Sequence, residues 1–285
     1  MPNLTDLAVV RDICARHNFA TSKGFGQNFI VNAGIPPRMA EASGVGPDWG
    51  VLEIGPGIGV LTKELALRAR KVVALEVDHR LPPILEETFA EFDNVKIILE
   101  DALKCDLSAL MEREFADMPV CVCANLPYYI TSPILMRLLE AHLPVSNITV
   151  MVQKEAAQRI IAKPGTREAG AISCAVAYYS RPELLFNVQP GSFFPPPKVT
   201  SAVIRLHVGQ GEMAPVEDEK QYFNLVRAAF GQRRKTAANS IAAGLSLPKA
   251  QVAEALTKAG LDERVRPEQL KLEDFARIQK ALAEL

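Results

Sequence analysis

The chain has 285 residues, 48% hydrophobic and 23% charged, a composition ordinary for a soluble globular protein and long enough for one large domain with a smaller appendix. Its 32 basic and 33 acidic residues leave a net charge of −1, which excludes a uniformly basic nucleic-acid binder; such a partner would have to be met by a local patch. No charged start leads into an apolar signal segment, no run approaches membrane-span length, and the five cysteines and four histidines form no zinc pattern. The expectation is a cytoplasmic protein with buried thiols, no metal and no membrane partner.

Leu7, Val10, Ile13 and Cys14 recur at helical spacing between residues 4 and 17. Residues 21–30 place Gly24 and Gly26 among polar neighbours, which reads either as a plain linker or as an extended backbone open to close approach. Residues 35–43 predict a helix with Pro36 and Pro37 in its first turn. Strands are then predicted at 51–54, 71–77, 95–99, 120–124 and 147–152, with helices at 61–68, 85–92, 107–115 and 133–143 between them. That alternation predicts a parallel sheet covered on both faces. Helices at 155–161 and 169–179 precede two closing strands, 184–188 and 201–208, which flank a proline-rich stretch. From residue 217 only helical patterns remain, at 222–230, 235–243, 248–258 and 272–285. A boundary near residue 210 would divide the chain into 1–210 and 211–285.

Gly55, Gly57 and Gly59 follow the first of the alternating strands and open a helix. The dinucleotide fingerprint requires Gly-x-Gly-x-x-Gly, and Val60 stands where its last glycine should be. The spacing Glu53-x-Gly55-x-Gly57-x-Gly59 instead resembles motif I of S-adenosylmethionine-dependent methyltransferases. Glu76 ends the next strand, where a carboxylate can accept from two ribose hydroxyls. Asp101 ends the one after, placed to accept from an adenine amino group. Either acid alone is equally a solvated strand end; a glycine loop and two acids at three successive strand ends point to the methyl donor. A nicotinamide cofactor is the alternative.

Asn125-Leu126-Pro127-Tyr128 follows the strand at 120–124. Alone it reads as a turn. Its amide, rigid proline and aromatic ring also suit a flat, hydrogen-bonding base. It is one of five motifs in sequence order. Lys23 and Gly26-Gln27-Asn28-Phe29-Ile30 come first, then Glu53-Ile54-Gly55-Pro56-Gly57 and Asn125-Leu126-Pro127-Tyr128. Phe193-x-Pro195-Pro196-Pro197-Lys198-Val199 and Gln232-Arg233-Arg234-Lys235-Thr236 follow. Together they resemble the ribosomal RNA adenine N6-dimethyltransferase family, and within it the bacterial small-subunit branch.

The resemblance implies a Rossmann-like class I methyltransferase domain with a mostly parallel seven-stranded α/β sheet, followed by a small all-helical C-terminal docking domain. It implies S-adenosylmethionine as donor, held by Asn28, Ile30, Gly55, Gly57, Glu76, Asp101 and Asn125. Asn125, Leu126, Pro127 and Tyr128 would form the catalytic loop. Tyr128 and Phe193 would stack on a flipped adenine, with Phe194 the core aromatic; the alternative is that Phe193 itself is core. Residues 220–249 carry six basic side chains and no acid. Arg233, Arg234 and Lys235 among them would meet RNA phosphates, unless they are merely a solvated helix face. The implied activity is dimethylation of two adjacent adenosines near the 3′ end of 16S rRNA, in the small (30S) subunit or its precursor during late assembly, by a monomer. The rivals are an erythromycin-resistance-type enzyme acting on 23S rRNA and a catalytically silent assembly or transcription factor on the same fold. Tyr129, where small-subunit enzymes often have Asn, and Ile30, where Leu is common, depart from the pattern.

Overall fold

The computed structural model describes residues 2–20, 27–212, 216–232 and 234–285. Lys23, Gly24, Gly26 and Arg233, singled out in the sequence, lie outside the described residues. The chain divides into two compact units, Met1–Ala157 with Glu183–Val208, and Gln158–Pro182 with Gly209–Leu285.

In the first unit, α1 (Leu7–Arg16) and α2 (Ile35–Ala42) flank the short strand β1 (Phe29–Ile30). Strands β2 (Gly50–Ile54), β3 (Lys71–Glu76), β4 (Val95–Leu99), β5 (Val120–Asn125) and β6 (Val145–Gln153) then alternate with α3 (Val60–Ala66), α4 (Pro82–Phe89), α5 (Leu107–Phe115) and α6 (Thr131–Glu140). Helix α7 (Lys154–Ile160) and helix α8 (Ala171–Tyr179) lead to β7 (Ser180–Val188), β8 (Phe193–Phe194) and β9 (Ser201–Val208). The seven-stranded sheet has the order β4-β3-β2-β5-β6-β9-β7. Strands β4 to β6 pair in parallel, and β9 runs antiparallel to β6. Continuous apolar runs fit strands covered on both faces: β2 is buried throughout and β5 from Val120 to Ala124.

From β2 the chain winds outward to β3 and β4, then returns to place β5 on the other side of β2. This reversal opens a crevice beyond the carboxyl ends of the strands, the usual ligand position in open α/β sheets. At the amino ends, the buried Glu114 on α5 accepts from Lys96 at 2.7 Å, Arg113 at 2.9 Å and Lys71 at 3.0 Å. Burial alone would raise its pKa, but these three cations hold it down at about 2.

The second unit is built on α8, α9 (Glu219–Phe230), α10 (Ala237–Leu245), α11 (Lys249–Lys258) and α12 (Leu272–Ala283). Here the organisation differs from a single cut at residue 210, because Gln158–Pro182 belongs with the C-terminal helices. The cause is aromatic packing. Tyr179 stacks on Phe223 at 5.2 Å, Tyr178 meets Tyr222 at 5.5 Å, and both tyrosine hydroxyls reach Glu219. Local periodicity carries no record of such a long-range cluster. Among the described residues, no helix is long and apolar enough to cross a membrane.

Candidate active site

Strand β2 runs into a loop in which Gly55 (φ +70°), Gly57 (φ +59°) and Gly59 (φ +91°) all take left-handed backbone. A side chain at Gly59 would collide with the Phe89 ring, and one at Gly57 would meet the Phe29 ring at 3.3 Å. The loop therefore needs glycine for both conformation and space. It leaves the backbone lining a cavity with no side chain in the way.

Glu76, the last residue of β3, is buried, and its Oε1 accepts from the backbone N–H of Val77 and of Asp78 at 2.8 Å each. Burial raises its pKa, with the N–H groups of Asp78, Val77 and Gly57 opposing. One oxygen is thus spent on fixing the carboxylate at the cavity wall. Asp101 stands just past β4. Its Oδ1 accepts from Leu103 N–H at 2.9 Å, and its carbonyl takes Lys104 N–H and Cys105 N–H. This is an Asx-type turn that holds the acid at the cavity, where the exposed Lys104 Nζ forms a long ion pair with it at 3.8 Å.

Asn125 ends β5. Its Nδ2 donates to the Asn28 carbonyl at 3.5 Å, which leaves the side-chain oxygen as the atom to receive an incoming donor. Leu126 is buried and its N–H donates to Met151 O. The Pro127 carbonyl accepts from Ile130 N–H, closing the turn that opens α6. The Tyr128 hydroxyl is tied to Ser201 Oγ on β9 at 2.8 Å, which fixes the half-buried ring.

One cavity is lined by Asn28, Ile30, Gly55, Gly57, Glu76, Asp101 and the loop Asn125–Tyr128. Tyr129, 58% exposed, sits at its rim near Asp101 and Glu76. Phe193 is not brought there. It is 4% exposed, pairs with Ile30 in the β1–β8 ladder, and joins an apolar cluster with Phe29. Phe194 is the more exposed ring, with the Arg11 guanidinium 5.3 Å above it. Consecutive strand residues face opposite ways, so the pairing register decides which ring turns inward. Here Phe193 takes the place in the apolar cluster that was expected for Phe194. Arg234 and Lys235 are exposed on the turn between α9 and α10 of the second unit.

Two features had not been assigned from sequence. Glu53 is 1% exposed at the cavity wall, and its Oε2 has no hydrogen-bond partner among the described residues. Burial pushes its pKa to about 8; the neighbouring Thr62 hydroxyl partly opposes this and the Glu76 charge adds to it. A glutamate inside the apolar run Val51–Ile54 was the available signal. Asp78 and Arg80 form the second feature. Asp78 is fully buried and accepts from Arg80 Nη2 at 2.6 Å and from Gln27 Nε2 at 2.9 Å. No local pattern announces a contact spanning that much chain.

With Glu53, Glu76 and Asp101 on its walls, the cavity suits a ligand with donors for carboxylates and a positive charge. Among the described residues, no cluster of three metal-binding side chains occurs.

A family model described as ribosomal RNA adenine dimethylase matches residues 18–284. The chain is 46% identical over 279 residues to a ribosomal RNA small subunit methyltransferase A from Geobacillus thermodenitrificans, covering 96% of this chain and 95% of the relative. Among solved structures, a dimethyladenosine transferase from Plasmodium falciparum is similar with a TM-score of 0.67 and 25% identity, over 87% of this chain and 95% of that one. The 23S rRNA methyltransferase ErmE is similar with a TM-score of 0.63 and 28% identity, over 90% of this chain and all of that one.

Proposed function

The chain belongs to the ribosomal RNA adenine dimethylase family, and from that premise we propose that it transfers methyl groups from S-adenosylmethionine to N6 of two adjacent adenosines near the 3′ end of 16S rRNA. The RNA would be presented in the small (30S) subunit or its precursor, during late assembly, and the enzyme would act as a cytoplasmic monomer. The observation that carries this reading is the convergence of the glycine loop, Glu76, Asp101 and Asn125 on one cavity.

The residues fit the donor. Glu76, fixed through Oε1, would take the ribose hydroxyls. Asp101 would take the adenine amino group. The bare glycine loop and the unpartnered Glu53 Oε2 lie at the end of β2 and would receive the amino-acid tail. The donor supplies a sulfonium methyl of high intrinsic reactivity.

The protein's own work is to hold the acceptor. An adenine amino group is a poor nucleophile because its lone pair is drawn into the ring. Asn125 Oδ1 would accept one amino hydrogen and a backbone carbonyl of the loop the other, which restores electron density to N6 and aims it at the methyl. Pro127 has no N–H to compete for these acceptors. The Tyr128 ring, held by Ser201, would stack on the base and offset part of the cost of flipping it, on the order of 1–3 kcal/mol. The amine becomes acidic only once alkylated, so its proton passes to solvent and no strong base is required. Positioning carries the acceleration. Phe193, 4% exposed and not among the residues lining the cavity, is given no stacking role in this reading. Arg234 and Lys235 would meet phosphates, with Arg233 beside them in sequence.

Labelled methyl transfer onto undermethylated small subunits and onto large subunits, run side by side, tests the reading. Label in the small-subunit RNA supports it. Label only in large-subunit RNA would favour the activity that the ErmE structure's name describes.

A further inference from the structure

Four residues that line the cavity, Glu76, Gln27, Asn28 and Asn125, are tied to a group that does not. Asp78 follows Glu76 by two positions and is fully buried. Its N–H donates to Glu76 Oε1 at 2.8 Å. Its Oδ1 accepts from Arg80 Nε at 2.8 Å and from Arg80 N–H at 3.1 Å. Its Oδ2 accepts from Arg80 Nη2 at 2.6 Å and from Gln27 Nε2 at 2.9 Å. The Arg80 guanidinium also lies 4.9 Å over the Phe19 ring and donates to the Ala20 carbonyl at 3.4 Å. The pair thus grips the chain at residues 19–20 and again at Gln27.

Gln27 immediately precedes Asn28, whose carbonyl accepts from Asn125 Nδ2. On its other side Asn28 is followed by β1, locked to β8 through the pairs Phe29↔Phe194 and Ile30↔Phe193. The Asn28 carbonyl is therefore fixed from both directions. A carbonyl accepts and never donates, so it selects the NH2 end of the Asn125 amide and turns the oxygen toward the target side. Were the carbonyl to drift, the amide could rotate and present NH2 to an adenine amino group, two donors facing each other.

We infer that the Asp78–Arg80 pair is a positioning device which, through Gln27 and Asn28, sets the sense of the Asn125 amide while holding Glu76 through the same aspartate. This rests on the proposed methyl transfer. It adds that the residues holding the donor and the residue holding the target are tied to one buried carboxylate. A paired, four-donor carboxylate is a rigid anchor, whereas removing its arginine would leave a buried charge uncompensated. The informative change is therefore at Gln27, which cuts the link and keeps the pair.

The test is Gln27→Ala, assayed for donor affinity by calorimetry, for melting temperature, and for the ratio of N6-monomethyl- to N6,N6-dimethyladenosine in small-subunit RNA. Unmodified adenine offers two N–H groups to be held. After one transfer only one remains, so the second transfer depends more heavily on a correctly turned amide. The expected result is a transfer rate reduced about tenfold or more, a several-fold rise in the monomethyl share, and a loss of donor affinity smaller than the loss of rate, since Gln27 also lines the cavity. Gln27→Glu alone sets a carboxylate against Asp78 and should behave at least as badly; combining it with Asp78→Asn restores a donor–acceptor pair and should recover the parental product ratio. An unchanged product ratio in Gln27→Ala, or no recovery in the double variant when both are folded by melting, overturns the inference. If Gln27→Ala does not fold, Gln27→Glu against the double variant decides on the same ratio. Failure of the unsubstituted protein to methylate small-subunit RNA would instead defeat the proposed function.

Discussion

Glu53 and Glu114 are both buried glutamates in the first unit, near opposite ends of the same parallel strands, and their surroundings are opposed. Glu114, beside the amino ends, is surrounded by Lys71, Lys96 and Arg113 and is held ionised down to about pH 2. Glu53, near the carboxyl end of β2, has an unpartnered oxygen among the described residues, a second acid nearby in Glu76, and a pKa near 8. The fold neutralises a buried carboxylate where only stability is at stake. It leaves one unneutralised at the cavity where the proposed function seats a cationic ligand. Unsatisfied buried groups and shifted pKa values gather at functional sites for this reason.

The sharpest way to break the comparison is at the carboxyl end. Asn125→Ala removes the side-chain oxygen proposed to accept from the adenine amino group, and methyl transfer should fall about 10²–10³-fold with donor affinity nearly intact; single-turnover rates beside calorimetry would show it. If donor binding fell as far as the rate, Asn125 would belong to the donor side instead. Glu76→Gln should weaken donor binding about 10–100-fold, since charge-assisted hydrogen bonds contribute about 1.5–3 kcal/mol. Glu114→Gln should leave donor affinity alone and cost about 1–3 kcal/mol at pH 7, discounted for its partly exposed partners.

The two glutamates should also differ in the sign of their pH dependence. Glu114 has a depressed pKa, so its contribution is present above the unfolded-state value and is lost as pH falls toward about 2. The melting-temperature gap between parent and Glu114→Gln should close over that interval. Glu53 has a raised pKa, so the native state retains a proton the unfolded chain releases, and stability declines as pH rises toward about 8. Glu53→Gln, neutral at every pH, should melt with the parent near pH 4 and progressively above it up to pH 8. A constant offset across pH would show that Glu53 does not titrate in the native protein.

Much of this was legible in the chain. Alternating apolar strands and helices gave the parallel sheet, and the acids at residues 76 and 101 reached the cavity because strand ends do so at a chain reversal. The loop at 125–128 was readable because an amide, a proline and an aromatic ring after a buried strand form a local pattern. What sequence could not show depended on register and distance. The ladder between Ile30 and Phe193 turned that ring inward. The hook from Gln27 to Asp78 and the packing of Tyr178 and Tyr179 on the later helices join segments far apart. Glu53 was recognised as part of a motif, but its lack of a partner follows from what surrounds it in space.

Among the described residues no cation pairs with Glu53 or Glu76, and the methyl donor is proposed to bring one to Glu53. Calorimetric titration of S-adenosylmethionine at pH 7, in two buffers of different ionisation enthalpy, addresses it directly. Glu53 should be protonated in the free protein and ionised beside the donor's ammonium group, so binding should release about one proton, and Glu53→Gln should release none. Binding without proton release, or no binding of S-adenosylmethionine at all, would contradict the account.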